Sequence, residues 1–205
     1  WLNERENPEV IAYLEEENRY QEEMMKDTEP LQNKLYDEIV GRIKQDDVSY
    51  PVKRNGYYYY SRYEEGKEYP VYCRRKDNMD TPEHIFLDCN RLAEGHHYFD
   101  IGAYSVSPNN ELLAYSVDTV SRRQYDICFK SLQISEHDSH FPDVIKNTTG
   151  NMVWANDNAT IFYSAKDETL RSCKIMRHKL GDNPDNDELV YFEEDTAFSC
   201  FVGKS

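Results

Sequence analysis

Two stretches of the sequence are copies of one another. SVSPNNELLAYSVD, beginning at Ser105, aligns with MVWANDNATIFYSAK, beginning at Met152. Setting Ser107 on Ala155 places Tyr115 on Tyr163, Ser116 on Ser164, Ile127 on Ile175 and Leu132 on Leu180, at a constant offset of 48. A weaker third copy puts Tyr60-Ser61 on Tyr115-Ser116 at an offset of 55. A period of roughly 40–50 residues with about four strands per unit is the pattern of β-propeller blades. The reason is burial. One twisted four-stranded sheet has two apolar faces and cannot cover either alone, whereas sheets stacked around an axis cover both. A closed ring takes about 4–8 blades, and at most three are legible here. The expected architecture is therefore mainly β, a partial propeller preceded by helices: either the ring is incomplete or the blades belong to a larger parent.

The strand text supports this. From Val48 onward, short aromatic and β-branched runs recur: Tyr57-Tyr58-Tyr59-Tyr60, Val71-Tyr72-Cys73, Leu112-Leu113-Ala114-Tyr115, Ile127-Cys128-Phe129, Val153-Trp154, Ile161-Phe162-Tyr163 and Val190-Tyr191-Phe192. The chain holds 17 tyrosines, and tyrosine suits a half-buried pleated surface. Asn55-Gly56, Glu65-Gly66, Pro108-Asn109-Asn110 and Asn156-Asp157-Asn158 separate the runs as turns.

Residues 1–47 read differently. Asn7 is placed to cap a helix, with Pro8 in its first turn, and Val10, Ile11, Leu14, Met24 and Met25 follow at helical spacing. Glu15, Glu16, Glu17, Glu22 and Glu23 make its solvated side. Thr28 is the next cap candidate, with Pro30 near the first turn, and Leu31, Leu35, Ile39 and Ile43 step by four along one face. Gly41 falls inside this second helix, and Gln45-Asp46-Asp47 reads as its exit. The domain division expected is 1–47 helical and 48–205 propeller. The apolar stripes of the helices imply that they pack on something else.

Charge excludes some functions. Against 24 Lys+Arg stand 39 Asp+Glu, a formal net charge of −15. Phosphate-backbone binding calls for a basic patch. The longest basic runs are Arg74-Arg75-Lys76 and Arg122-Arg123, so no nucleic-acid partner is expected. No stretch approaches the ~18 apolar residues that signal a membrane span, and the opening Trp1-Leu2-Asn3-Glu4 has no signal-peptide character. Five cysteines, Cys73, Cys89, Cys128, Cys173 and Cys200, occur without a C-x-x-C. Reduced, mostly buried thiols in a reducing compartment are expected from that pattern.

Catalytic and metal motifs are sparse. The glycines at 41, 56, 66, 95, 102, 150, 181 and 203 give neither G-x-S-x-G nor G-x-G-x-x-G. Gly203-Lys204-Ser205 resembles the end of a phosphate loop, but position 198 is Phe where that loop needs Gly. His137-Asp138-Ser139-His140 and His96-His97 lack the further ligands of a metal site. Asp185-Asn186-Asp187-Glu188 lacks the glycine and distal Glu of an EF-hand and reads as a solvated turn. No catalytic residue, metal ligand or cofactor is assigned. Arg122-Arg123, before a β-branched strand, are the one functional candidate. They read either as a clasp for a carboxylate on a neighbouring domain or as edge charge that blunts strand pairing.

SVSPNNELLAYSVDTVSRRQYDICFKSL, from Ser105 to Leu132, resembles the early propeller blades of the oligopeptidase B (protease II) branch of the prolyl oligopeptidase family. MVWANDNATIFY is similar to the same family, as are the helical opening WLNERENPEVIAYLEEENRY and the segment YPVKRNGYYYYSRYEEGKEYPVYCRRK from Tyr50. The resemblance covers the chain end to end, and Ser121–Tyr125, SRRQY, is its most specific motif. It implies a parent in which a seven-bladed propeller caps an α/β-hydrolase domain with a Ser-Asp-His triad. That parent cleaves short peptides after Arg or Lys and is mostly cytosolic, with a periplasmic setting left open.

The triad and the acids that hold the basic side chain lie in the family's C-terminal half and have no counterpart here, so this portion alone is expected to be inactive. The helices would pack on the hydrolase domain. Arg123 matches a family arginine near the propeller–hydrolase interface, and His97 stands where some relatives carry an acid. The partners implied are that domain, the remaining blades and short basic peptides, with self-association of the isolated chain through uncovered strands. The competing reading is a free-standing, non-catalytic propeller that binds a partner through its loops.

Overall fold

The computed structural model describes residues 1–133 and 140–204. It divides into two compact units, 1–47 and 48–205.

In the first unit, α1 (Pro8–Met25) starts where Asn7 Oδ1 accepts the Glu9 amide at 3.0 Å. That bond satisfies one of the amides a helix start leaves unpaired. A single 3-10 turn (Lys26–Thr28) then leads into α2 (Glu29–Val40). Thr28, the expected cap, does not act as one. Its backbone is helical (φ −92°, ψ −9°), and its hydroxyl donates back to the Met25 carbonyl at 2.6 Å. The two helices therefore follow one another with no extended residue between them. Gly41, expected inside the second helix, is instead its stop, so Ile43 lies beyond the helix. Ile11, Leu14, Leu31, Leu35 and Ile39 are exposed, and Val10 alone is buried in these helices.

The second unit holds three repeats. The first is a four-stranded antiparallel sheet of β1 (Val52–Arg54), β2 (Tyr57–Arg62), β3 (Val71–Lys76) and β4 (His84–Asp88). A short helix, α3 (Cys89–Ala93), follows. The others form one continuous antiparallel sheet, whose strands are neighbours in chain order. These are β5 (Asp100–Val106), β6 (Leu112–Asp118), β7 (Tyr125–Ser131), β8 (His140–Trp154), β9 (Thr160–Lys166), β10 (Ser172–Lys179) and β11 (Glu188–Phe192). The period seen in the sequence is the period of the strands. β6 and β9 start 48 residues apart, as do the starts of β8 and β11, while β2 and β6 start 55 apart.

β8 belongs to two repeats. Its first half pairs with β7 and its second half with β9, with Thr148 opposite both Tyr125 and Ala165. The strand turns at Asn147 (φ 58°) and Gly150 (φ 84°). A side chain at Gly150 would also crowd the Tyr125 ring, 3.0 Å from an added Cβ.

Both faces of the middle repeat are covered. Along β6, Leu113 and Tyr115 join a core with Tyr59, Phe86 and Phe99. Ala114, between them, joins a second core with Ile127, Phe129, Trp154 and Ile161. Successive strand residues point to opposite faces, so one strand supplies both cores.

Two devices recur with the period. Asn55, Asn110 and Asn158 each occupy the turn after a first strand with positive φ (46°, 64° and 60°), a conformation asparagine tolerates better than most residues. These turns also touch: Asn110 Nδ2 donates to the Asn55 carbonyl at 3.1 Å, and the Asn109 amide to Asn158 Oδ1 at 2.8 Å. Each second strand carries a tyrosine that reaches the start of the fourth. The Tyr60 hydroxyl donates to Glu83 at 2.6 Å, Tyr115 lies 3.4 Å from His140 Nδ1, and Tyr163 donates to Asp187 at 2.8 Å.

Candidate functional site

The loop between β6 and β7 is built on one carboxylate. Asp118, 1% exposed at the end of β6, accepts four backbone amides, from Val120, Ser121, Arg122 and Arg123, at 2.7–3.1 Å. A carboxylate that is buried needs such partners, and hydrogen bonds to a charged group contribute about 1.5–3 kcal/mol each. The amides converge because Ser121 and Arg123 take positive φ (64° and 53°). The loop is therefore closed around Asp118, and its two arginines project from a fixed turn.

Both Arg122 and Arg123 are exposed. Among the described residues neither guanidinium has a hydrogen bond or ion pair. Tyr125, two residues on, anchors the far end of the loop. Its hydroxyl donates to Asp100 at 2.6 Å, and burial, then that carboxylate, push its pKa up. Its ring lies over Gly102, where an added Cβ would come within 2.7 Å of it. Lys166 Nζ lies 5.9 Å from the centre of the Tyr125 ring, and burial lowers its pKa, with the Arg123 charge acting the same way. The loop thus offers a pair of free guanidiniums, suited to a carboxylate on another surface.

The corresponding loop of the third repeat keeps its arginine inward. Arg171 binds Asp167 at 3.1 Å and the carbonyls of Glu193, Asp195 and Phe198. The Thr169 hydroxyl, first among its hydrogen bonds, holds the Asp167 carboxyl down to about 2.

Other sequence candidates fall elsewhere. His96 and His97 are exposed beyond α3, and among the described residues neither shares a hydrogen bond or ion pair with Arg123. His137, Asp138 and Ser139 lie outside the described residues. Among the described residues no three His, Cys, Asp or Glu side chains form a metal-holding group. The 185–188 segment is not simply a solvated turn. Asp187 is bonded at 2.7 Å to Nδ1 of His178, a fully buried residue stacked on Phe129. On its other side, His178 Nε2 lies 3.6 Å from Asp143, whose carboxylate accepts the Gly181 amide. This cluster ties the second repeat to the third.

Sequence reasoning also missed Arg74, read only as part of a basic run. It is 3% exposed and crosses from the first repeat to the second. Its guanidinium donates to His84 Nδ1 (3.1 Å) and to the carbonyls of Asn110 (2.8 Å) and Leu132 (3.1 Å). It also lies 4.4 Å from the centre of the Tyr57 ring. The only signal was its place directly after the Val71-Tyr72-Cys73 run: alternation puts Arg74 on the face opposite Val71 and Cys73, and the fold buries that face too.

The comparisons with known proteins fit this geometry. The family model described as "Prolyl oligopeptidase, N-terminal beta-propeller domain" matches residues 1–205. Dipeptidyl aminopeptidase BI of Pseudoxanthomonas mexicana is 44% identical over all of this chain, and Protease 2 of Moraxella lacunata is 35% identical. The chain spans 30% of the length of each. The structure of oligopeptidase B from Leishmania major superposes with a TM-score of 0.88 at 33% identity, covering 99% of this chain and 29% of that one. Fold and sequence agree along the whole chain: it belongs to the prolyl oligopeptidase N-terminal β-propeller family.

Proposed function

We propose that this chain is the helical arm and the first three blades of the lid of a serine oligopeptidase that hydrolyses short peptides after Arg or Lys. The observation that carries this is the superposition on oligopeptidase B across 99% of the chain. A propeller over an active site excludes water and folded proteins, so that only short peptides reach the nucleophile. The serine, aspartate and histidine belong to the hydrolase domain of the parent, and this portion contributes no catalytic residue. The exposed faces of α1 and α2 pack on that domain. β11 presents Leu189, Val190, Tyr191 and Phe192 at an unpaired edge. Further blades cover it in the parent, and the isolated chain self-associates through it. The compartment proposed is the cytoplasm.

The name of the 44% identical relative supports a second specificity, release of dipeptides from a free amino terminus. The two are separated by assaying the full-length gene product on blocked peptides with an internal Arg or Lys and on unblocked peptides of the same length. Cleavage after the basic residue regardless of blocking is expected. Cleavage only of unblocked peptides, two residues at a time, would select the second reading. No hydrolysis of either would return the chain to a binding module.

Arg122 and Arg123 serve as the interdomain contact, engaging a carboxylate of the hydrolase domain. In the full-length protein, Arg123→Ala should lower kcat/KM by about tenfold, the equivalent of one lost charge-assisted hydrogen bond of ~1.4 kcal/mol. It should also speed limited proteolysis between the domains. Unchanged kinetics together with unchanged proteolysis would remove this role.

A further inference from the structure

The ends of the first strands of the three repeats line a hollow of about 1080 Å³. Arg54 comes to it from β1, Ser105 and Val106 from β5, and Trp154 from β8, with Tyr72 and Tyr104 in its wall. Its chemistry differs from that of the chain around it. Of 205 residues, 39 are acidic, yet among the described residues no Asp or Glu lines this hollow. Two cations do, Arg54 and Lys204.

Lys204 is pinned there by the Trp154 carbonyl at 3.1 Å and Asn156 Oδ1 at 2.7 Å. Arg54 is exposed, and its guanidinium has no hydrogen bond or ion pair among the described residues. The hydroxyls of Tyr72 and Tyr104 are likewise without a hydrogen bond among those residues, and their rings lie 4.8 Å apart. Burial raises the Tyr104 pKa, and the Arg54 charge opposes that rise. The hollow thus brings together a free guanidinium, the phenolic donor of Tyr104 and a ring-lined wall. A guanidinium and hydroxyls donate hydrogen bonds to a carboxylate, and the rings take an apolar side chain.

We infer that this hollow binds the free carboxylate end of a short peptide whose last residue is apolar. The carboxylate accepts from Arg54 and from the Tyr104 hydroxyl, and the last side chain lies against the rings of Tyr72 and Tyr104. A cationic peptide end would instead meet two positive charges with no acid to hold it. The inference rests on the peptidase reading for its supply of peptide ends.

The test is calorimetric titration of the full-length gene product with acetyl-Ala-Gly-Ala-Phe as the free acid and as the C-terminal amide. The peptide contains no Arg or Lys and has no free amino terminus. The acid should bind about tenfold tighter, a difference of ~1.4 kcal/mol. Arg54→Gln, at an exposed position, should abolish that preference and leave the amide's affinity unchanged. Tyr104→Phe, which removes only the hydroxyl, should weaken acid binding about threefold. Equal affinities for acid and amide, no binding of either, or a preference that survives Arg54→Gln would overturn the inference. Binding is read without turnover. A protein that prefers the acid but cleaves nothing would sink the peptidase reading alone, and one that cleaves but shows no preference would sink this inference alone.

Discussion

Trp154→Ala is expected to destabilise the propeller unit by ~4 kcal/mol. The indole is 2% exposed in the second core, edge-on to Phe129 at 5.9 Å between ring centres. Its Nε1 donates to the Ser105 carbonyl at 2.9 Å and so ties the first strand of one repeat to that of the next. Truncating a buried Trp or Phe to Ala costs about 3–5 kcal/mol, and an orphaned acceptor adds about 1–3 kcal/mol where water cannot reach it. The two are not additive within one side chain. In a domain of this size the loss corresponds to a Tm lower by roughly 10 °C. Far-ultraviolet circular dichroism is the readout. Trp1→Ala provides the contrast, because Trp1 is 66% exposed and its replacement should move the transition little. Equal shifts for the two variants would contradict the packing described.

Arg74→Ala should cost ~3 kcal/mol, and the loss should be local. Two effects oppose each other. Removing a buried guanidinium relieves its desolvation, which for a charge is large. Against that, the carbonyls of Asn110 and Leu132 lose their donor, His84 loses one partner, and the stem's packing over Tyr57 goes. Three charge-assisted bonds at about 1.5–3 kcal/mol each outweigh the relief for a group whose partners are already placed. Arg74→Lys keeps the charge but cannot span three acceptors held at fixed angles, so it should recover less than half of the loss. Hydrogen exchange localises the effect: amides of residues 52–88 should exchange faster, and those of 148–165 should not. Uniform acceleration across the unit would show that Arg74 is not a junction staple.

The repeat was legible because its marks are local. Tyr115 and Tyr163, Ser116 and Ser164, and the asparagine turns recur in the text as they do in the sheet. Several strands left little such mark. β10 reads Ser-Cys-Lys-Ile-Met-Arg-His-Lys, where cations interrupt any apolar run and Ile175 alone carries the repeat, and β1 is only three residues long. Helix endings were misplaced where spacing continued past a stop, as at Gly41.

The buried polar groups were hidden for a different reason. His178 meets Asp143 and Asp187, 35 and 9 residues away, and Arg74 meets Leu132, 58 residues away. Only the fold brings such partners together, and sequence alone shows them as ordinary polar text. The arginine pair was visible, but the four amides gathered by Asp118, which fix where the pair points, were not.

The shared strand β8 makes the three repeats mechanically unequal. Between the second and third, one unbroken strand carries hydrogen bonds on both sides of its bend, so any shear there must break a ladder. Between the first and second, the chain passes through α3 and a loop, and the load falls on side chains, with Arg74 the chief among them. Strain applied to this part of the ring is therefore relieved at the first seam while the second and third repeats travel as one stiff plate.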